Sequence, residues 1–240
     1  MPRAVLCLPT YNERENLEPM IAALGKALDT SQVRVLVIDD GSPDGTGEIA
    51  DRLAAEHSWV SVLHRATKEG IGPAYVAGFR QALAEGAEFV LEMDCDFSHD
   101  PADVPRLIAA AEGADLVLGS RYAPGGGTAN WGLVRRVVSR GGCLYAQVLL
   151  GMRVRDLTGG FKCFRRQTLD AIDLDALSAH GYAFQIETTY RVKRAGLRIQ
   201  EVPITFVERR AGASKMTGAI VAEAMWRVPL LRLRALVGKL

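Results

Sequence analysis

Apolar and polar positions along this chain change in blocks. Short apolar runs at 4–8, 33–38, 60–63, 89–93 and 116–119 read as strands, and the stretches between them, at 13–28, 46–56, 72–85 and 101–112, repeat their apolar positions at helical spacing. Strand and helix in alternation predict an α/β fold, with a mostly parallel sheet and helices on both faces. Asn12 followed by Glu15 has capping-box spacing, and Asp100-Pro101 sets an N-cap before a proline at the first helical position. Pro124-Gly125-Gly126-Gly127-Thr128 is the one obvious flexible segment. Near the end, 219–236 puts Ile220, Val221, Ala224, Met225, Val228 and Leu231 on one helical face, with Glu223, Arg227 and Arg234 on the other. With Trp226, Arg232 and Lys239 added, this fits an amphipathic helix lying in a membrane surface. It fits equally a helix docked on its own domain and kinked at Pro229.

Composition narrows the class. At 240 residues the chain is one domain, taken as 1–218, with a C-terminal amphipathic appendage at 219–240. Hydrophobic residues at 48% and charged residues at 24% are ordinary for a globular protein. Cys7, Cys95, Cys143 and Cys163 are scattered without a C-x-x-C pair, which favours reduced thiols and a cytoplasmic setting over disulfides or zinc. No secretory leader precedes the first strand, and no apolar run is long enough to span a bilayer. The net charge of +1 hides an imbalance: residues 1–100 carry −9 and residues 101–240 carry +10. An acidic half suits a metal and a basic half suits phosphates, whereas that acidic half and the sparse aromatics set nucleic acid aside.

The sharpest chemical signal is Asp94-Cys95-Asp96, directly after the strand at 89–93. In extended backbone both carboxylates project to one side, at the strand's carboxyl end where open α/β sheets hold ligands. Hard carboxylate oxygens suit Mg²⁺ or Mn²⁺, ions that bridge to substrate phosphates. Alone, two such acids are more at home in an exposed loop than on a metal; the neighbouring segments reverse that balance. The second strand runs into Asp39-Asp40-Gly41-Ser42-Pro43-Asp44-Gly45-Thr46, where Asp40 suits ribose or base contacts and the remaining residues shape a turn. The first strand runs into Pro9-Thr10-Tyr11-Asn12-Glu13, with Tyr11 placed to stack on a base and Glu13 to accept from it.

Other motifs are excluded or weaker. Gly70-Ile71-Gly72 is no dinucleotide fingerprint, because Tyr75 stands where the third glycine belongs. No G-x-S-x-G elbow is present and the four histidines are dispersed, which removes a His-based triad. In the basic half, Arg121 follows a strand end, and the glycine-containing loop 209–215, from Arg209 to Lys215, is the kind of element that closes on an anion.

These segments resemble the family 2 glycosyltransferases of GT-A fold, and among them the polyprenol- or dolichol-phosphate mannose synthases. The resemblance rests on 9–17, 39–46, Glu92-Met93-Asp94-Cys95-Asp96-Phe97-Ser98-His99, Gly119-Ser120-Arg121-Tyr122, Asp156-Leu157-Thr158-Gly159-Gly160-Phe161, 181–187 and 202–215. It covers about residues 4–218 and implies a GT-A Rossmann-like sheet. It further implies a GDP-mannose donor with Pro9, Tyr11, Glu13, Asp39 and Asp40 around the nucleotide, and Mg²⁺ or Mn²⁺ on Asp94 and Asp96. Ser98 stands where some relatives carry a stronger third ligand. Arg121, Arg135, Ser139, Arg209 and Lys215 fall where the family handles phosphates and its acceptor loop. The implied acceptor is a polyprenyl phosphate, reached peripherally from the cytoplasmic face or through a membrane-anchoring partner, since the transmembrane helices of some relatives are absent here. A phosphate acceptor is already an anion and needs no base, whereas a hydroxyl acceptor would need one, for which Asp156 is the candidate. Another sugar nucleotide, a glycan hydroxyl acceptor, and a catalytically silent sugar-nucleotide-binding module are the alternatives.

Overall fold

A computed structural model describes residues 1–177, 181–208 and 218–238, without the side chains of residues 182 and 218–224. Seven strands form the main sheet in the order β3-β2-β1-β4-β7-β5-β8. They are β1 (Ala4–Thr10), β2 (Val33–Asp39), β3 (Val60–His64), β4 (Phe89–Glu92), β5 (Leu116–Ser120), β7 (Lys162–Arg165) and β8 (Ile199–Pro203). All neighbours run parallel except β7, which lies antiparallel between β4 and β5. The five strands and the alternation expected in the first 120 residues are present, each within two residues of its expected bounds. The chain moves outward from β1 to β3 and then returns to β4 on the other side of β1, so the sheet's topological switch point lies between β1 and β4.

The side-chain alternation of β1 shows why both faces need covering. Ala4, Leu6 and Leu8 face one core, closed by helices α1 (Arg14–Ala27), α2 (Thr46–Glu56) and α4 (Val104–Ala111). Val5 and Cys7 face the other, closed by α3 (Ile71–Ala84), the short α6 (Arg166–Ala171) and α7 (Gly181–Arg194). Gly78 lets α3 approach closely: a Cβ there would meet Ile38 Cδ1 at 2.4 Å and Cys7 Sγ at 3.0 Å.

Beyond α7 lies a third cluster, where α5 (Leu133–Leu150) and α8 (Gly218–Leu236) pack through Ala146, Leu150, Val228, Leu231 and Ala235. Val228 and Leu231, expected on the apolar face of the C-terminal helix, therefore face the domain, whereas Met225 from the same expected face is 53% exposed.

Two local expectations change. The capping box at Asn12 does not form: Asn12 adopts φ 57°, its N–H donates to Ser42 Oγ at 3.1 Å, and Glu13 occupies the N-cap without a side-chain cap. The loop is instead tied to the turn after β2. The glycine run at 124–128 is pinned rather than loose: Gly127 N–H donates to Ile204 O at 3.0 Å and opens strand β6 (Gly127–Ala129), which pairs with β9 (Thr205–Val207). The Asp100 cap holds, accepting from Ala102 N–H at 2.9 Å ahead of a short 3₁₀ turn.

Candidate active site

The carboxyl ends of β1, β2 and β4 meet at the switch point, and each delivers acidic residues there. Pro9 lies within β1, while Tyr11 and Glu13 follow it. Lys68 Nζ stands 3.9 Å over the Tyr11 ring, and Glu13 Oε2 accepts from Asn16 Nδ2 at 2.8 Å. Asp39 accepts from Ser42 N–H at 3.1 Å and Ser42 Oγ at 2.6 Å, contacts that hold the turn after β2. Asp40 is buried against Arg65, whose guanidinium also reaches Glu69 at 2.5 Å. Burial raises the Asp40 carboxyl above its ordinary value even though Arg65 pulls the other way. Nothing in the local sequence pointed to Arg65, which comes from the segment after β3.

Asp94 and Asp96 follow β4 in an irregular turn rather than in extended strand. The strand's alternation nevertheless continues through them. Phe89, Leu91, Met93 and Cys95 all belong to the α1-side core, which turns Asp94 and Asp96 to the opposite side. There they raise the buried Tyr75 hydroxyl's pKa, adding to the larger effect of burial. Asp96 Oδ1 accepts from Ser98 N–H at 3.0 Å, and Phe97 between them holds φ 61°, a strained value for a bulky residue. Ser98 Oγ is buried without a hydrogen-bond partner. Two hard carboxylates with an orphaned hydroxyl beside them fit a hard divalent cation. Among the described residues no group of three His, Cys, Asp or Glu converges, so substrate oxygens and water would complete the shell.

Directly beneath lies a buried polar cluster. Glu92 is paired in register with Lys162 of β7, and both are fully buried. Burial pushes the Glu92 carboxyl up to about 7 against the pull of Lys162, and brings Lys162 down to about 8 against the pull of Glu92. Lys162 Nζ donates to Gln185 O and Thr188 Oγ1, both at 2.9 Å, which anchors α7 under the acidic rim.

Across from the acids stands a wall of arginine and aromatic rings. Arg121, at the end of β5, is clamped by Asp156: Nε–Oδ2 is 2.7 Å, Nη2–Oδ1 is 2.6 Å, and the Arg121 N–H adds a third bond at 2.9 Å. Thr158 Oγ1 accepts a further bond from Nη2 at 2.8 Å. Burial alone would weaken both charges, but each partner outweighs it: Arg121 is held charged, and Asp156 lies below the usual carboxylate range. The guanidinium lies 5.5 Å from Trp131 and 5.4 Å from Phe206. Arg135 of α5 stacks over Trp131 at 4.2 Å and pairs with Glu208. Ser139 accepts from the Tyr122 hydroxyl at 2.8 Å.

Rim and wall are joined. Val207 N–H donates to Ser98 O at 3.1 Å, and His99 lies between Phe161 at 4.9 Å and Phe206 at 5.1 Å. Arg209 and Lys215 lie outside the described residues. Trp131, Phe206 and the Arg121–Asp156 clamp were not foreseen as one group, because only tertiary contact assembles them.

The model for Glycosyl transferase family 2 matches residues 5–173. The chain belongs to this family. Its curated relatives include an undecaprenyl-phosphate mannosyltransferase of Micrococcus luteus, 51% identical over 226 residues, which cover 94% of this chain and 92% of that one. A polyprenol monophosphomannose synthase of Mycolicibacterium smegmatis is 47% identical over 228 residues, covering 94% and 85%. Among solved structures, this glycosyltransferase is similar to the glucosyl-3-phosphoglycerate synthase of Mycobacterium tuberculosis in complex with Mn²⁺, UDP and glucosyl-3-phosphoglycerate. That match has a TM-score of 0.66 at 23% identity, covers 98% of this chain and 79% of the other, and shows the GT-A fold. The glycosyltransferase thus carries the expected mostly parallel sheet with a C-terminal helix.

Proposed function

We propose that the protein is a metal-dependent inverting transferase that moves mannose from GDP-mannose to the phosphate of a polyprenyl monophosphate. An acceptor phosphate oxygen forms the new bond to the sugar's C1, the bond from C1 to the donor diphosphate breaks, and GDP leaves. In this reading Pro9, Tyr11, Glu13 and Asp40 surround the nucleotide, Asp39 holds their loop in shape, and Asp94 with Asp96 would hold Mg²⁺ or Mn²⁺. That ion supplies positive charge to the departing diphosphate. Arg121, Arg135, Ser139, Arg209 and Lys215 form the acceptor side.

The observation that carries the reading is the state of Asp156. A hydroxyl acceptor needs a carboxylate base, yet both oxygens of Asp156 already accept from Arg121, and its affinity for a proton is lowered. A phosphate monoester needs no base and is drawn instead by fixed positive charge. The names of the relatives at 47% and 51% identity point to the same acceptor class.

Such an acceptor lives in a bilayer. No helix among the described residues is long and apolar enough to cross one, so we place the protein peripherally on the cytoplasmic face, bound directly or through a membrane-anchoring partner. The test incubates the protein with Mg²⁺ or Mn²⁺, polyprenyl phosphate and a panel of GDP- and UDP-sugars, followed by mass spectrometry of the lipid phase. A polyprenyl-phosphate hexose formed from GDP-mannose alone is expected. A lipid product from UDP-glucose instead, or transfer only to glycan hydroxyls, would overturn the assignment.

A further inference from the structure

Beneath the acidic rim, four buried oxygens have no hydrogen-bond partner among the described residues: the Tyr75 hydroxyl, both carboxylate oxygens of Glu92, and Oε1 of Gln185. Each forfeits its hydration without a return, so such atoms are rare in folded chains, and a group of them calls for an explanation. They sit together. Glu92 faces the α3 side of β4, the side to which Asp94 and Asp96 also turn. Burial raises the Tyr75 hydroxyl's pKa most, and Asp94 and then Glu92 raise it further. Burial likewise raises the Glu92 carboxyl, opposed first by Lys162 and then by the Gln185 amide.

Gln185 differs from the other two because it reaches the cleft. It is 4% exposed, whereas Tyr75 and Glu92 are closed off completely. Its Nε2 lies beside Gly160, where an added Cβ would stand 3.3 Å away, and a Cβ on Gly159 would stand 3.5 Å from Asp156 Cγ. The amide therefore spans the floor from the foot of the acidic rim to the turn under the Arg121–Asp156 clamp. Its backbone is fixed there. Gln185 O accepts from Lys162 Nζ at 2.9 Å, Thr189 Oγ1 at 2.9 Å and Thr188 Oγ1 at 3.2 Å. The neighbouring Phe184 stacks on Tyr75 with ring centroids 6.0 Å apart. A buried amide oxygen on so rigid a mount is preorganised to accept a hydrogen bond.

We propose that Gln185 is a sugar-binding residue whose Oε1 accepts a hydrogen bond from a hydroxyl of the donor hexose. The inference deepens the transferase reading and rests on it. In that reading the donor diphosphate lies at Asp94 and Asp96 and the acceptor phosphate at Arg121, so the hexose between them crosses the floor at Gln185. Hexose hydroxyls supply the O–H donors that an amide oxygen needs. An amide takes up no proton near neutral pH, so Gln185 orients the sugar without acting as a base, in keeping with a phosphate acceptor.

The test titrates the full chain by calorimetry, with Mn²⁺ and no acceptor, using GDP, GDP-mannose, UDP and UDP-glucose. The readout is the Kd of each sugar nucleotide divided by that of its nucleoside diphosphate. Gln185→Met, of similar length but without the oxygen, should raise this ratio about tenfold and leave the Kd of the nucleoside diphosphate unchanged. Among the 2-, 3-, 4- and 6-deoxy forms of the preferred donor, one should show the same loss with the wild type and no further loss with the variant. Circular dichroism checks folding. If the methionine variant does not fold, Gly160→Ala, whose Cβ crowds the amide, should raise the ratio by a smaller factor. A ratio unchanged in a folded variant would overturn the proposal and leave Gln185 to the scaffold. So would a variant in which both Kd values rise together. The transferase reading fails separately: preference of the wild type for UDP-glucose refutes the GDP-mannose donor, while the ratio measured with UDP and UDP-glucose still decides Gln185. Wild type that binds neither sugar nucleotide would overturn both.

Discussion

The acidic rim and the arginine wall face each other but are built on opposite plans. The rim comes from three strands that are adjacent in the sheet and parallel, β2, β1 and β4, and each contributes residues directly after its carboxyl end. The wall comes from β5, the loop at 156–158, α5 and the β6–β9 ribbon, segments spread over nearly ninety residues and joined by side-chain contacts. A rim of this kind is set by topology, since any open parallel sheet gathers its strand ends at the switch point. A wall of this kind is set by pairing, with each buried arginine stabilised by a specific carboxylate or ring. The rim should therefore lose chemistry when altered, whereas the wall should lose stability as well.

The largest effect is expected at the rim. Asp96→Asn keeps the shape and the bond from Ser98 N–H but removes a charge from the proposed metal pair. Transfer should fall by about 10³-fold or more, while metal-free nucleotide binding by calorimetry stays near wild type. Unchanged turnover would break the metal assignment.

The wall responds differently at Asp156. Asp156→Ala leaves the Arg121 guanidinium buried without its partner, for an expected loss of about 3–5 kcal/mol in urea unfolding. The pair Arg121→Met with Asp156→Leu should recover most of that stability while transfer stays lost, which separates folding from chemistry. If the double variant unfolds as readily as the single one, charge pairing is not what holds the wall.

A third effect lies where rim and wall touch. His99 is buried between two rings, its Nδ1 lacks a hydrogen-bond partner, and burial lowers its pKa from 6.5 to about 4, with Asp96 opposing and Arg121 assisting. The folded value lies below the free one, so the fold holds the neutral ring. Its contribution is complete above pH 6.5 and is lost as pH falls from there toward 4. The window corresponds to at most roughly 3 kcal/mol. His99→Phe keeps the ring stack and should flatten the stability loss between about pH 7 and pH 4; a slope equal to wild type would assign the acid sensitivity to other groups.

The same contrast explains what the sequence disclosed. Strands β1 to β5 and the helices between them were legible because each is a local apolar pattern closed by turn residues. The position of Asp94 and Asp96 at the carboxyl end of β4 was legible because they follow such a strand. Strand β7 was not: it has only four residues, begins with the buried Lys162, and takes its place between β4 and β5 by pairing with chain more than forty residues away. Glu92 likewise read as part of an apolar run, and only the register shows the buried Lys162 opposite it. Helix α5 was hidden because Arg135-Arg136 and Gly141-Gly142 interrupt its inward stripe while its outward stripe is equally apolar. Asp156 read as a spare base because nothing nearby in sequence shows that Arg121 already occupies it.

The smallest effect tests whether the wall acts on substrate beyond holding itself together. Arg135 is only partly buried, stacked on Trp131 and paired with Glu208 whose side chain is 37% exposed, so its removal should change stability by less than about 1 kcal/mol. Its positive charge beside Ser139 should matter more to an incoming phosphate. Arg135→Ala is therefore expected to raise the KM for polyprenyl phosphate about tenfold, the worth of one charge-assisted contact, with the KM for the sugar nucleotide unchanged. Arg135→Lys should recover part of the loss, because the cation remains while the planar stack on Trp131 does not. If both KM values rose together, Arg135 would belong to the scaffold of the site, and the division into a donor rim and an acceptor wall would fail at that residue.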